Sequence, residues 1–417
     1  MLELPVNKIF SGDVLRVLKR LPDECVDCIV TSPPYYGLRD YGVEGQTGLE
    51  KTLAEYIDKM LAITAELKRV LKTTGTLWWN HGDAYLGSGS GKGSGDSNPD
   101  TNKARSRNLP KAAGLQKCLM LQNYRLAIRM MDEQGWILRN TIIWHKPNVM
   151  PSSVKDRFTV DYEPVFFFTK SKKYWFEQQF EPHTSGTHAR GGIKKGETTD
   201  FKETSQATKI GGWNELPPTT NPLGRSKRSV WRIPTRSYKE AHFATFPPAL
   251  IETPIKAGCP EMICKKCGNA RKKIFKGASN LAFNIRVRDV KEGRIKHQDR
   301  RATKSEVDKY LENYGEGKQF IGYTDCGCKA GWISGIVLDP FMGSGTTALV
   351  ARQLDRNYVG IELNPEYIKL AEKRLRQITE EKTFNGSDEE IDTLRGLSFF
   401  PDSKERGANE SFGFSSP

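Results

Sequence analysis

Cysteine is sparse in this chain. Eight thiols in 417 residues are too few for a disulfide scaffold at this length. Long apolar runs are absent. No stretch reaches the ~18 apolar residues of a membrane-spanning helix, which excludes that class and a membrane partner. Met1-Leu2-Glu3-Leu4-Pro5 lacks the basic and apolar blocks of a signal peptide, so a cytoplasmic protein is expected. Acidic residues are in deficit: 50 Asp and Glu stand against 64 Lys and Arg, a net charge of +14. The resulting pI of about 9.3 favours a polyanionic partner, because Lys and Arg gain by releasing counterions from phosphates.

What is present concentrates in two distant stretches, each at the end of an apolar run that reads as a buried strand. The first is Thr31-Ser32-Pro33-Pro34-Tyr35, after Val26-Val30 with Asp27 interrupting. It places a hydroxyl, two prolines and an aromatic ring at a strand end. The second is Asp339-Pro340-Phe341-Met342-Gly343-Ser344-Gly345-Thr346-Thr347, after Ile336-Leu338. Gly343 and Gly345 permit a tight turn and a close backbone approach. The helix that follows, Thr346 to Leu354, offers unpaired N–H groups to a ligand. A second strand, Tyr358-Ile361, ends in Glu362. An acid about 20 residues after such a turn is where a nucleotide-binding unit places its ribose-hydroxyl acceptor. No Lys-Ser or Lys-Thr follows the glycines, which excludes a Walker loop. The turn is not G-x-G-x-x-G, and Asp-Pro-Phe has no role in nicotinamide binding.

Together the two stretches resemble the catalytic and cofactor motifs of amino-directed DNA methyltransferases. Their order, catalytic first, resembles the beta class of that family. The resemblance covers residues 7–82, 119–182, 230–260 and 336–378. It implies S-adenosylmethionine as cofactor and double-stranded DNA as partner, with a cognate restriction endonuclease as a candidate second partner. Ser32, Pro33, Pro34 and Tyr35 become the catalytic set. An exocyclic amine is a poor nucleophile until acceptors draw on its hydrogens. The Ser32 hydroxyl and the Pro33 carbonyl suit that task, and Tyr35 offers a face for an extruded base. The cofactor set would be Asp13, near the adenine; His242, Phe243, Ala244 and Thr245; Asp339, near the amino-acid end; Pro340, Phe341, Gly343, Ser344, Gly345, Thr346 and Thr347; and Glu362 on the ribose. In the family, Asp or Asn at the first catalytic position goes with adenine N6 and Ser with cytosine N4. Ser32 therefore implies cytosine N4. Adenine N6 is the alternative. A zinc-containing DNA-binding protein with an inactive methyltransferase core is another.

Five cysteines cluster late in the chain. Cys264-x-x-Cys267-Gly268 is a knuckle suited to a metal, and Cys326-Gly327-Cys328 is a tighter second pair. Four thiolates make a closed tetrahedral zinc site. Free thiols, or a disulfide in oxidised protein, are the alternatives. Cys259 is a fifth contender. Cys25, Cys28 and Cys118 read as buried thiols. The segment 261–335 interrupts the family pattern and holds 17 Lys and Arg against 9 Asp and Glu. It reads as a small zinc-bound module whose basic face either touches DNA or is merely solvated.

The expected fold is α/β, a doubly wound and mostly parallel sheet of the Rossmann-like methyltransferase type. It carries a target-recognition insertion and a zinc-ribbon-like insertion. Residues 1–182 form the catalytic half, with a glycine-rich loop at 86–111. Residues 183–229 form the target-recognition region, 230–260 with 336–379 the cofactor half, 261–335 the Cys-rich insertion and 380–417 a polar tail. Helices are expected over Leu53-Leu71, ended by Gly75, and over Leu119-Glu133, Pro248-Ala257 and Pro365-Ile378. His145 reads as a hydrogen-bonded wall residue with no catalytic role.

Overall fold

The computed structural model describes residues 4–86, 117–181, 225–235, 246–276 and 319–384. His242, Phe243, Ala244 and Thr245 lie outside the described residues. So do most of the glycine-rich loop, most of 183–229, the centre of the Cys-rich insertion and the tail beyond 384.

The chain begins with β1 (Lys8–Ser11), α1 (Val14–Leu18) and β2 (Val26–Thr31). α2 (Leu53–Val70) runs directly into β3 (Leu71–Asn80). α3 (Gln122–Gln134), β4 (Ile137–His145) and β5 (Tyr162–Thr169) follow. Then come the short strands β6 (Phe180–Glu181), β7 (Arg225–Ser226) and β8 (Val230–Arg232). α4 (Pro248–Gly258) precedes β9 (Ile263–Cys264), β10 (Lys273–Lys276), β11 (Gln319–Tyr323) and β12 (Trp332–Ile333). β13 (Ile336–Asp339), α5 (Thr346–Gln353), β14 (Asn357–Glu362) and α6 (Pro365–Phe384) complete it.

Eight strands form one sheet in the order β1-β14-β13-β2-β3-β5-β4-β8. Among neighbouring pairs, β5 alone runs antiparallel to both of its neighbours; the others pair in parallel. Side chains alternate between the two faces. Ile29, Leu77, Trp79, Phe166 and Phe168 pack one core with α1, α2 and α3. Cys28, Val30, Trp78, Phe167 and Val337 pack the other with α4 and α5. Covering both faces is the doubly wound arrangement, and it explains why the central strands read as continuous apolar runs. Among the described residues, no helix is long and apolar enough to cross a membrane.

Several expectations need correction. α2 starts on a reciprocal cap between Thr52 and Glu55, as its sequence favours. It does not end at Gly75. Leu71 is already extended, and Gly75 lies inside β3. A Cβ there would come within 2.9 Å of the Asp27 carbonyl, so the glycine serves a close strand approach rather than a helix stop. α3 begins at Gln122 rather than Leu119, because Leu119 pairs with Tyr85 in an isolated bridge. α6 extends past Ile378 to Phe384, into the expected tail. Of the three supposed buried thiols, Cys28 is buried, Cys25 is half-buried and Cys118 is exposed.

The described residues of the Cys-rich insertion include two small antiparallel pairs, β9 with β12 and β10 with β11. It joins the sheet where β13 begins. Gly335 N donates to the Pro260 carbonyl, and Ile336 N donates to Asp27 at the start of β2. Lys273 bridges Glu177 and Glu261, and Glu261 also faces Arg356. The module therefore stands at the edge where parallel strands β2 and β13 start.

Candidate active site

The opposite edge, where those strands end, gathers most of the residues singled out in the sequence. β13 lies between β2 and β14, with Val337 opposite Cys28 and Leu338 opposite Ile29. That pairing sets the two motifs side by side. Thr31 Oγ1 donates to Asp339 Oδ1 at 2.6 Å, joining residues 308 apart. Asp339 is fully buried and also accepts from Thr347 Oγ1 and Phe341 N. Burial raises its carboxyl to about 6, against the pull of those hydrogen bonds.

The glycine turn has the shape its residues permit. Gly343 and Gly345 take φ of +51° and +83°, and Gly345 stands as N-cap of α5. A Cβ on Gly345 would approach Ala371 Cβ of α6 to 2.7 Å. Glu362 Oε2 accepts from Gly343 N at 2.7 Å, and its Oε1 accepts from Asn364 N. Burial again raises this carboxyl. Ser344 and Thr346 meet a partner the sequence did not reveal, since Arg374 of α6 donates to Ser344 O and Oγ and to Thr346 Oγ1. Ser11 pairs with Glu362, and Gly12 N donates to the Glu362 carbonyl. Asp13 thus reaches the same edge. Its side chain caps α1 by accepting from Arg16 N.

At the catalytic stretch, Tyr35 Oη donates to Glu163 Oε2 at 2.9 Å and lies 3.2 Å from Ser32 Oγ. Lys146 Nζ holds the other oxygen of Glu163. Pro34 O accepts from Tyr56 Oη at 2.9 Å, and Tyr56 Oη lies 3.1 Å from Nε2 of the buried His81. Trp79 Nε1 donates to His81 Nδ1, and burial lowers the imidazole to about 3, so His81 is neutral. With Nδ1 accepting, Nε2 carries the hydrogen, which orders the chain His81 to Tyr56 to Pro34. Asp83 accepts from Leu121 N and Gln122 N at the start of α3.

Glu163, Lys146, Tyr56, His81 and Arg374 were missed as site residues. A signal existed for Glu163, an acid opening the otherwise apolar Pro164-Val165-Phe166-Phe167-Phe168. None existed for Arg374. His145 Nε2 lies 3.4 Å from Asp161 Oδ2.

At the other edge, the sulfur atoms of Cys264, Cys267, Cys326 and Cys328 lie within 4.8 Å of one another. Cys259 is not among them. It is buried as the C-cap residue of α4. Gly268 and Gly327 take positive φ beside the two pairs. The backbone N–H of Cys267 is the chief influence lowering the Cys264 thiol to about 6, which favours the thiolate. Sulfurs around a tetrahedral zinc at ~2.3 Å would sit about 3.8 Å apart, and this donor set fits that size.

Comparison with known proteins agrees with the geometry. The DNA methylase family model (N6/N4 methyltransferases) matches residues 26–266 and 329–373. The type II methyltransferase M.XycI of Xanthomonas campestris pv. cyanopsidis is 35% identical over 373 residues, 89% of this chain and 88% of its own. M.Cfr9I of Citrobacter freundii is 34% identical over 377 residues, 90% of this chain and 89% of its own. M.SmaI of Serratia marcescens is 32% identical over 371 residues, covering 88% and 90%.

Proposed function

The chain belongs to the DNA methylase family, and from that membership we propose that it transfers a methyl group from S-adenosylmethionine to the N4 amine of cytosine in duplex DNA. The observation that carries the reading is the pairing of β2 with β13. It joins the ends of the two strands that lead into Ser32-Pro33 and into the glycine turn, with the Thr31–Asp339 bond as the clasp.

S-adenosylmethionine supplies the methyl group as a sulfonium with its own leaving group. The chain's residues fit it. Glu362 accepts from backbone N–H groups of the turn and of the residues that follow it, and a carboxylate's remaining lone pairs leave acceptor capacity for ribose hydroxyls. Gly343 and Gly345 keep the turn free of side chains. Asp339, Pro340 and Phe341 shape the approach, and Asp13 borders it. Ser32 Oγ and Pro33 O accept amine hydrogens, which pulls the nitrogen toward sp³ and raises its nucleophilicity. Positioning and electrostatics do most of the work, and no covalent enzyme intermediate is needed. The target base must first leave the stack, because its amine is unreachable inside a duplex. Cytosine rather than adenine follows from Ser32, a short side chain suited to holding a smaller ring close. The four-cysteine cluster holds a structural zinc, and a cognate endonuclease is the partner this reading adds.

The test is to methylate DNA of varied sequence with the purified protein, digest it to nucleosides and analyse them by mass spectrometry. N4-methylcytosine is expected. N6-methyladenine as the main product would overturn the base assignment, and no methylated nucleoside would overturn the activity.

A further inference from the structure

Ser32 carries a hydroxyl, which can donate or accept. The reaction proposed above needs it to accept, since an amine presents hydrogens. Something must therefore fix the direction of the Ser32 hydrogen bond.

Tyr35 Oη lies between Ser32 Oγ at 3.2 Å and Glu163 Oε2 at 2.9 Å. An ionised carboxylate only accepts. Burial and the Glu163 charge push the Tyr35 phenol well above its ordinary value, so it keeps its one hydrogen. That hydrogen goes to Glu163. Tyr35 Oη can then act toward Ser32 only as an acceptor, and Ser32 must donate its hydrogen to Tyr35. Its lone pairs are left for the target amine. Glu163 is anchored as the negative end by Lys146, whose Nζ holds Oε1 and lies 4.4 Å from the centre of the Trp144 ring. Lys146, Glu163 and Tyr35 come from the residue after β4, from β5 and from the turn after β2, brought together because β5 runs antiparallel between β3 and β4.

We propose that Glu163 and Lys146 are positioning residues that polarise a hydrogen-bond chain through Tyr35, making Ser32 an acceptor toward the amine of the target base. The proposal rests on the methyltransferase reading of Ser32. It assigns Tyr35 a second task beyond a stacking face, that of relaying direction.

Glu163→Gln separates this from a packing role. Lys146 would draw the amide oxygen, turning the amide N–H groups toward Tyr35. The phenol hydrogen would then swing to Ser32, and the Ser32 hydrogen would point at the amine. Turnover should fall by ~10²-fold, the scale of losing one preorganised polar contact in a water-poor site. KM for S-adenosylmethionine and the thermal midpoint should stay close to wild type. In a Ser32→Ala background the same change should add less than about twofold, because the chain already lacks its end. Glu163→Gln with wild-type turnover, or with an equal loss in the Ser32→Ala background, would overturn the proposal. A neutron structure of the wild-type protein reads the direction without any activity. Deuterium on Tyr35 Oη aimed at Glu163, and on Ser32 Oγ aimed at Tyr35, is expected. The reverse order would refute the chain even in an active enzyme. Absence of wild-type methylation with the expected deuterium positions would instead overturn the functional reading alone.

Discussion

Asp339 holds a carboxyl in a fully buried position, and three hydrogen bonds offset its burial only in part. Its ordinary value is 3.8 and its folded value about 6. Between those values the folded state binds more protons than the unfolded one. The stability this group contributes is therefore complete below about pH 3.8 and is lost as pH rises through about 6. Asp339→Asn has no such titration. Denaturant unfolding at about pH 4, 5, 6 and 7 should show the wild-type advantage over the variant shrinking as pH rises. A constant difference would mean that folding leaves the Asp339 carboxyl at its ordinary value. Glu362 has a different duty. Glu362→Ala should weaken S-adenosylmethionine binding by about 1.5–3 kcal/mol, the scale of a charge-assisted hydrogen bond, as read by calorimetry. Unchanged affinity would remove Glu362 from the cofactor site. Both acids were visible in the sequence because each closes an apolar strand beside a glycine turn. Glu163 was not picked out as a site residue. Its meaning depends on Tyr35, which lies 128 residues away.

Among the elements, the α5–α6 contact leaves no slack. Gly345 has φ of +83°, and Ala371 leaves no room for a Cβ. Gly345→Ala must strain the backbone and push α6 outward, at a cost of about 1–3 kcal/mol. Thermal unfolding should show the loss, and cofactor affinity should fall with it because Arg374 of α6 holds Ser344 and Thr346. A variant as stable as wild type would show that the turn relaxes freely. Elements with strong periods or caps were legible, α2 and α5 above all. Gly75 misled because a glycine after a helical pattern is the usual stop, whereas here the helix ends five residues earlier, at Val70, and the glycine serves strand packing. β8 has three residues and no period to read, yet it completes the sheet edge beside β4.

For the whole molecule, the described part of the Cys-rich module bears on its two expected roles. It stands at the starting ends of β2 and β13, away from Ser32 and the glycine turn, and it is tied down through Lys273, Glu261 and Arg356. That placement fits a clamp better than a DNA contact. Purified protein should carry about one zinc per chain by elemental analysis. Cys267→Ser or chelation should lower the thermal midpoint by roughly 5 °C or more, while turnover at low temperature stays near wild type. Protein that is metal-free, kept reduced and equally stable would remove the clamp. The cysteine spacing announced the cluster. Its distance from the active site could not be read from sequence, because it depends on which end of β13 the insertion joins.

The pairing of β2 with β13 also sets a schedule for synthesis. β2 is complete within the first 31 residues, but its neighbour on one side ends at residue 339. A ribosome adding about 5–20 residues per second needs roughly 15–60 s to cover that gap. Throughout that time one edge of β2 has unpaired N–H and C=O groups flanked by apolar side chains, an invitation to pair with another nascent chain. A transcript cut short before β13 would leave that edge open permanently. Such a product should aggregate rather than persist as a folded, inactive fragment.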